Sequence, residues 1–222
     1  MTNYDLISSE YYSARHATCR NFDVATKWNL VHHLPFHNLP NQLAVELCAG
    51  TGRLLDYTSH TATVHVDSSI GMLSLKEREP GLCVLADACH LPFTESQFGL
   101  AAAFLCDPAL SQEFVNEVYR VLAPGGTFLF STPAYEWATA LRGGLKHETT
   151  FVTETNAQVT VPSNIYTKAQ LLEMLCSFRK IKLSPCWLPE GHVPSGAIEK
   201  AARTAGISVH SLQIVYLVSC RK

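Results

Sequence analysis

Short, nearly unbroken apolar runs recur through the middle of the chain, at residues 43–48, 62–66, 82–86, 100–105 and 127–131. Each has the length of a buried strand. The segments between them read as helices, starting at Thr51, after Ser68 and at about 110–122. Apolar strands alternating with helices predict a parallel sheet covered on both faces. Upstream, Asp23 to Leu34 reads as a helix ended by the turn residues Pro35, Asn38 and Pro40. The pattern changes after Pro133. Residues 133–166 are mixed, with Gly143-Gly144 and an alternating stretch around 151–161, and read as a lid or an extra hairpin. Thr167 opens a helix to Phe178 as its N-cap. A strand at 180–187, a short helix at 196–205 and a last strand at 213–219 complete the chain. The long excursion before that last strand permits an antiparallel return. The expected fold is therefore an α/β three-layer sandwich, with a mostly parallel seven-stranded sheet whose last strand is antiparallel. It is read as one domain over 1–222, with a helical lid at 1–40 and an inserted lid segment at 133–166.

Composition narrows the function classes. The chain has 222 residues, 47% of them hydrophobic, which is ample for one core. A formal charge of −2 with 16% charged residues offers no surface for a nucleic acid. The apolar runs fall short of the roughly 20 residues that span a bilayer, and Met1-Thr2-Asn3-Tyr4-Asp5 does not open like a secretory signal. Eight cysteines, none in C-x-x-C spacing, read as reduced thiols of a cytoplasmic protein with no metal site. Monomer and homodimer are both open.

Three strand ends carry the chemistry. Glu46 lies in Leu43-Ala-Val-Glu-Leu-Cys48, which breaks into Ala49-Gly50-Thr51-Gly52. Such a turn lets backbone N–H groups approach a ligand that a Cβ would push away. Asp67 ends the second strand and Asp87 the third. Carboxylates at successive strand ends suggest a nucleoside-bearing cofactor lying across them. Each also has a structural reading: a cap for Glu46, a helix N-cap for Asp67, a held turn for Asp87.

Val45-Glu-Leu-Cys-Ala-Gly-Thr-Gly52, Val66-Asp-Ser-Ser-Ile-Gly-Met-Leu73, Ala86-Asp-Ala-Cys-His-Leu-Pro-Phe93 and Glu117-Val-Tyr-Arg-Val-Leu-Ala-Pro-Gly-Gly126 together resemble the class I, Rossmann-like S-adenosylmethionine-dependent methyltransferases of the small-molecule branch. The resemblance implies that Ala49, Gly50 and Gly52 pass under the methionine part of the cofactor, above Glu46. It implies that Asp67, with Ser68 beside it, binds the ribose, that Ile70 or Met72 flanks the adenine, and that Asp87 and Ala88 read the adenine edge. Leu105 and Cys106 fall near the sulfonium. Cys48 departs from the pattern, since the family usually has glycine there.

The acceptor side is less legible. Methyl transfer is an in-line displacement, and it needs a base only when the acceptor must lose a proton to become nucleophilic. Asp107, before Pro108, reads either as a helix N-cap or as an acceptor-facing carboxylate. His147 and His16 are the other candidate catalytic groups, each with a plain loop or packing reading beside it. Tyr11, Tyr12, Tyr135 and Trp137, with Phe36, Phe151 and Tyr166, are candidates to line an apolar acceptor pocket. His32, His33, His37 and His65 read as structural or surface. The expected partner is a small-molecule acceptor. Two other readings share the motifs: a nicotinamide-dependent oxidoreductase, whose Gly-x-Gly-x-x-Gly spacing is missing here, and a non-catalytic binding protein.

Overall fold

The computed structural model describes residues 2–11, 13, 16–33, 43–54, 63–75, 82–143 and 146–222. Tyr12, Phe36 and His37, the turn at 35–40 and the body of the helix expected after Thr51 lie outside them.

Helix α1 spans Ala17–His33, starting six residues before the Asp23 expected from the sequence. Then come β1 (Ala44–Leu47), β2 (Thr63–Asp67), the short α2 (Ile70–Ser74), β3 (Leu82–Leu85), β4 (Phe98–Ala103) and α3 (Gln112–Val121). β5 runs Leu122–Pro133 and pairs regularly from Thr127, past the Pro124-Gly125-Gly126 turn. After it follow α4 (Tyr135–Arg142), β6 (Glu148–Val152), β7 (Gln158–Pro162), α5 (Lys168–Met174), β8 (Arg179–Cys186), α6 (Gly196–Ala205) and β9 (Val215–Arg221). Seven strands form one sheet in the order β3-β2-β1-β4-β5-β9-β8, and β6 and β7 form a separate antiparallel hairpin. Strands β1 to β5 are parallel, while β9 runs antiparallel to both β5 and β8.

Side chains alternate across each strand, so the central strands feed two cores. On one face Ala101, Ala103, Phe128, Phe130, Tyr216 and Val218 pack against Phe114, Val115, Val118 and Val121 of α3 and against Leu171 and Met174 of α5. On the other, Leu100, Ala102, Leu129, Val215 and Leu217 meet Phe22, Ala25 and Leu30 of α1, Trp137 of α4, and Ile198 and Ala202 of α6. α3 turns its Phe114/Val118/Val121 stripe inward at helical spacing and is capped by Ser111, whose Oγ accepts from Phe114 N–H at 3.2 Å. Thr167 and Gln170 form a reciprocal capping box at the start of α5.

A third, smaller apolar cluster joins the N-terminal segment to the hairpin: Ile7 with Val159 and Val161, flanked by Tyr4, Tyr11 and Phe151. Asn3 Nδ2 donates to Thr160 O at 2.7 Å, and Glu154 N–H donates to the Glu10 carboxylate at 3.0 Å. The segment and the hairpin thus form one unit.

Candidate functional site

The strand order reverses between β1 and β4, because the chain works outward from β1 to β3 and then returns to the other side of β1. In a parallel sheet such a switch point leaves a crevice beyond the carboxyl ends of the strands, where ligands bind. A cavity of about 620 Å³ lies there. Cys48 and Gly50 reach it from β1, Asp67 and Ser68 from β2, Met72 from α2, Asp87, Ala88 and Cys89 from β3, and Phe104 and Leu105 from β4.

The glycine turn is held from beneath and from the side. Ala49 N–H donates to Val66 O at 3.0 Å, and Gly52 N–H to Ala49 O at 2.7 Å. Ala49 and Gly52 therefore shape the turn without lining the cavity. Gly50 sits at φ +51°, and a Cβ there would stand 3.1 Å from Met72 Cε. Glu46 is 1% exposed and also stays out of the cavity. Its Oε1 accepts from Arg53 N–H at 2.6 Å and Leu54 N–H at 2.8 Å, and its Oε2 lies 2.9 Å from His65 Nδ1. The acidic residue of the first motif holds the far side of the turn, and His65 holds the acid.

Asp67 performs the complementary task on the cavity side. Its Oδ2 accepts from Gly50 N–H and its Oδ1 from Ser69 N–H, both at 2.9 Å. Burial raises its pKa, and these hydrogen bonds oppose the rise. Each oxygen keeps a second lone pair to accept from a ligand hydroxyl. Asp87 is more open and takes Cys89 N–H at 2.9 Å. Of the two adenine-flanking candidates, Met72 lines the cavity and Ile70 is 60% exposed.

Two residues facing the cavity hold left-handed backbone without being glycine: Cys48 at φ +51° and Leu105 at φ +54°. Cys48, where the resemblance leads one to expect glycine, thus holds the left-handed backbone that favours glycine. Leu105 is held by its N–H donating to Ser131 Oγ at 2.9 Å.

The sequence missed much of the remaining wall. Thr2, Asn3 and Tyr4 line the cavity along with Tyr11, and so do Asp23 and Thr26 of α1, Arg53, Pro108, Ala109, Pro162 and Asn164. Asp5 anchors the N-terminal segment. Its Oδ1 accepts from Ser69 Oγ at 2.5 Å and from Gly71 N–H at 2.9 Å, which holds its carboxyl down at about 2. Its only signal in the sequence is one acidic residue in a polar segment, and the partners of its Oδ1 are more than sixty residues away.

Several acceptor-side expectations are corrected. Trp137 is 4% exposed and packs edge-on to Phe22 at 4.8 Å, in the core rather than the cavity. Tyr135, at the start of α4, packs against both cores and does not line it either. His147 is exposed at the foot of the hairpin, its carbonyl accepting from Ser163 N–H at 2.9 Å and its ring 6.5 Å from that of Tyr166, and it does not line the cavity. His16 meets Phe151 edge-on at 4.9 Å, away from the cavity lining. Asp107 caps no helix through its side chain, since Ser111 caps α3. It does not line the cavity although Pro108 and Ala109 do, and burial pushes its carboxyl up to about 6 against the Ser163 hydroxyl and the Arg142 guanidinium. Arg142 Nη2 donates to Ser163 Oγ at 2.9 Å, which ties this carboxyl to the end of the hairpin. Tyr4 is pushed well above its usual range by burial and then by the charge of Asp107. Among the described residues no cluster of His, Cys, Asp or Glu is placed to hold a metal ion, and no helix is long and apolar enough to cross a membrane.

Residues 45–130 match the family model described as methyltransferase domain. The demethylmenaquinone methyltransferase of Chlamydia trachomatis is 39% identical over 93 residues, 37% of this chain and 40% of that protein. An uncharacterized methyltransferase of Synechocystis is 33% identical over 109 residues, 44% of this chain and 51% of that one. The matches thus span about half the length of these curated relatives or less. Among solved structures, an S-adenosylmethionine-dependent methyltransferase from Mesorhizobium loti superposes with a TM-score of 0.62 at 19% identity, covering 90% of this chain and all of that one. The Burkholderia thailandensis 1,6-didemethyltoxoflavin-N1-methyltransferase, solved with 1,6-didemethyltoxoflavin and S-adenosylhomocysteine, does so at 0.57 and 15% identity, covering 99% and 86%. Motif order, glycine turn and sheet topology agree: residues 45–130 carry a methyltransferase domain, and the chain has the class I, Rossmann-like fold of the S-adenosylmethionine-dependent methyltransferases.

Proposed function

We propose that the chain binds S-adenosylmethionine in this cavity and transfers its methyl group to a small, mostly apolar acceptor that is neutral or cationic. The observation that carries the reading is the convergence of Gly50, Asp67, Met72 and Asp87 on one cavity at the switch point of the sheet. The residues fit the cofactor: Gly50 leaves the space a Cβ would take, and Asp67 offers open acceptor positions for ribose hydroxyls. When bound, S-adenosylmethionine supplies an electrophilic methyl carbon on a cationic sulfur.

The protein's own part is to align and to dry. Tyr4 and Tyr11 of the N-terminal segment, Pro162 at the end of β7 and Asn164 just after it roof the cavity. That roof keeps water from the reacting centre. Among the charged residues lining it, Asp23, Asp67 and Asp87 face a single cation, Arg53, which lies 3.6 Å from Asp23. This balance suits a cationic cofactor and disfavours a phosphate- or carboxylate-bearing acceptor.

Calorimetry with S-adenosylhomocysteine and with NAD tests the cofactor, and methyl release on a panel of uncharged hydroxy, amino and quinone compounds tests the acceptor. Demethylmenaquinone, the substrate named for the Chlamydia relatives, belongs on that panel. Binding of NAD in preference to S-adenosylhomocysteine would sink the reading.

A further inference from the structure

Asn164 is tied to the loop after β4 by its backbone and by its side chain. Its N–H donates to Asp107 O at 3.0 Å, and its Nδ2 donates to Leu110 O at 3.2 Å and to Pro108 O at 3.5 Å. Tyr166 Oη donates to Leu110 O at 3.1 Å and pins the same loop. Both side-chain hydrogens of Asn164 are thus spent on carbonyls. Turning the amide over would set its oxygen against those same two carbonyls, so the neighbours fix which atom is which. The oxygen Oδ1 takes the other corner of the amide. It has no hydrogen-bond partner among the described residues, and Asn164 lines the cavity. Its surroundings there include Leu105, Pro108, Ala109 and Pro162, which are apolar. A lone acceptor oxygen in such a wall is costly to cover with anything that does not donate to it.

We propose that Asn164 selects the methyl acceptor, its Oδ1 accepting a hydrogen bond from an N–H or O–H group that the acceptor must carry. This rests on the reading above that the cavity takes S-adenosylmethionine. Its place in the fold agrees. Asp67 and Asp87 stand at the ends of β2 and β3, on one side of β1, and are taken up by the cofactor. Asn164 stands on the other side of β1, over the loop after β4, where the acceptor has room. A compound with a donor keeps the oxygen paired after water has left. The same compound with a methyl group on that heteroatom strips the oxygen of water and returns nothing. A neutral amide oxygen is too weak a base to remove the hydrogen it accepts, so Asn164 is a positioning residue. Its three hydrogen bonds to the loop keep the oxygen aimed before the acceptor arrives.

The test uses the chain saturated with S-adenosylhomocysteine and pairs of aromatic probes that differ by one methyl group on the heteroatom. Phenol is set against anisole, indole against N-methylindole, and naphthol against methoxynaphthalene. Affinities are read by ligand-observed NMR titration. The wild type should bind the donor-bearing member of at least one pair about fivefold or more tightly, although the methylated member is the more hydrophobic. Asn164→Leu, close in size, should abolish that preference while S-adenosylhomocysteine affinity by calorimetry stays within about twofold. The retained affinity is also the proof that the variant is folded. A residue that only held the loop through Pro108 and Leu110 would weaken both members of a pair alike, so a preference that survives in Asn164→Leu overturns the proposal. Wild-type protein that binds S-adenosylhomocysteine but prefers no donor-bearing probe, or binds none of the probes, overturns it without any variant. Failure of the wild type to bind S-adenosylhomocysteine is a separate result: it overturns the cofactor reading, and the division of the cavity with it.

Discussion

Asp67 has two jobs at once, and its variants should show both. Its two oxygens already accept from Gly50 and Ser69 N–H groups. Asp67→Ala removes these and the ribose contacts proposed above, each worth about 1.5–3 kcal/mol when charge-assisted. S-adenosylhomocysteine affinity should fall at least about tenfold by calorimetry. Asp67→Asn should be nearly as damaging, because an amide NH₂ would face a backbone N–H that needs an acceptor. An Asn variant with parental affinity would show that the two backbone contacts are dispensable. Gly50→Val should fold and lose binding, since φ +51° strains a branched residue and its Cβ would press Met72 Cε at 3.1 Å on the cavity side. Asp107 predicts a pH effect. Its folded-state pKa near 6 lies above the roughly 3.9 of an unfolded aspartate, so the folded chain holds more protons between those values. This group's contribution is therefore favourable below about pH 4 and is lost as pH rises through 6. Asp107→Asn should be more stable than the parent above pH 6, by about 1–2 kcal/mol after losing the attraction of Arg142. Urea denaturation of both proteins from pH 4 to 8 measures it; a gap that does not widen with pH excludes a raised carboxyl.

At the scale of elements, the N-terminal segment is the one whose role the structure changes. The sequence reads it as a lid, with Tyr11 and Tyr12 as candidates to line the acceptor pocket. In the fold Thr2, Asn3 and Tyr4 line the same cavity as Asp67 and Met72, and Asp5 grips Ser69 and Gly71 directly after Asp67. Gly71 is the notch that admits it: a Cβ there would come within 2.7 Å of Ser8 Oγ and 3.2 Å of Asp5 Cα. Gly71→Ala should therefore lift the segment from α2 without entering the cavity. Hydrogen exchange of residues 2–11 should rise, and S-adenosylhomocysteine affinity should fall several-fold. Unchanged exchange would mean that Ser8 simply rotates aside. The hairpin moves with the segment through Ile7, Val159 and Val161, so its exchange should rise too.

At the scale of the molecule, a ligand that binds only the folded state stabilises it by about 2.7 kcal/mol at a hundred times its Kd. For a chain of this length each kcal/mol raises Tm by roughly 2–4 °C. S-adenosylhomocysteine at that excess should raise Tm by about 5–10 °C, and NAD should leave it unmoved. A flat response to both in a scanning-fluorimetry titration would remove the case for a nucleoside cofactor. The two cores make such a response global, because the cavity lies at the ends of strands β1 and β4, which feed both cores.

The sequence by itself determined the sheet and the cofactor end of the site. Strand-length apolar runs report double-sided burial locally, and Gly50, Asp67 and Asp87 are legible because each lies at or just past the end of its own strand. The antiparallel return of β9 was legible from the length of chain before it. Tertiary structure alone decided the other walls. Thr2 to Asp5, Asp23, Thr26 and Asn164 come from segments far apart in the chain, and nothing in their local spacing says that they converge. Trp137 and Tyr135 fail as pocket residues for the same reason in reverse: an aromatic's composition does not tell which side of a helix faces the core. Glu46 and His65 show the boundary most closely. Each reads alone as an acid and an imidazole in a strand. Only the register of β1 against β2, Glu46 opposite His65, turns them into the buried pair that holds the glycine turn in place.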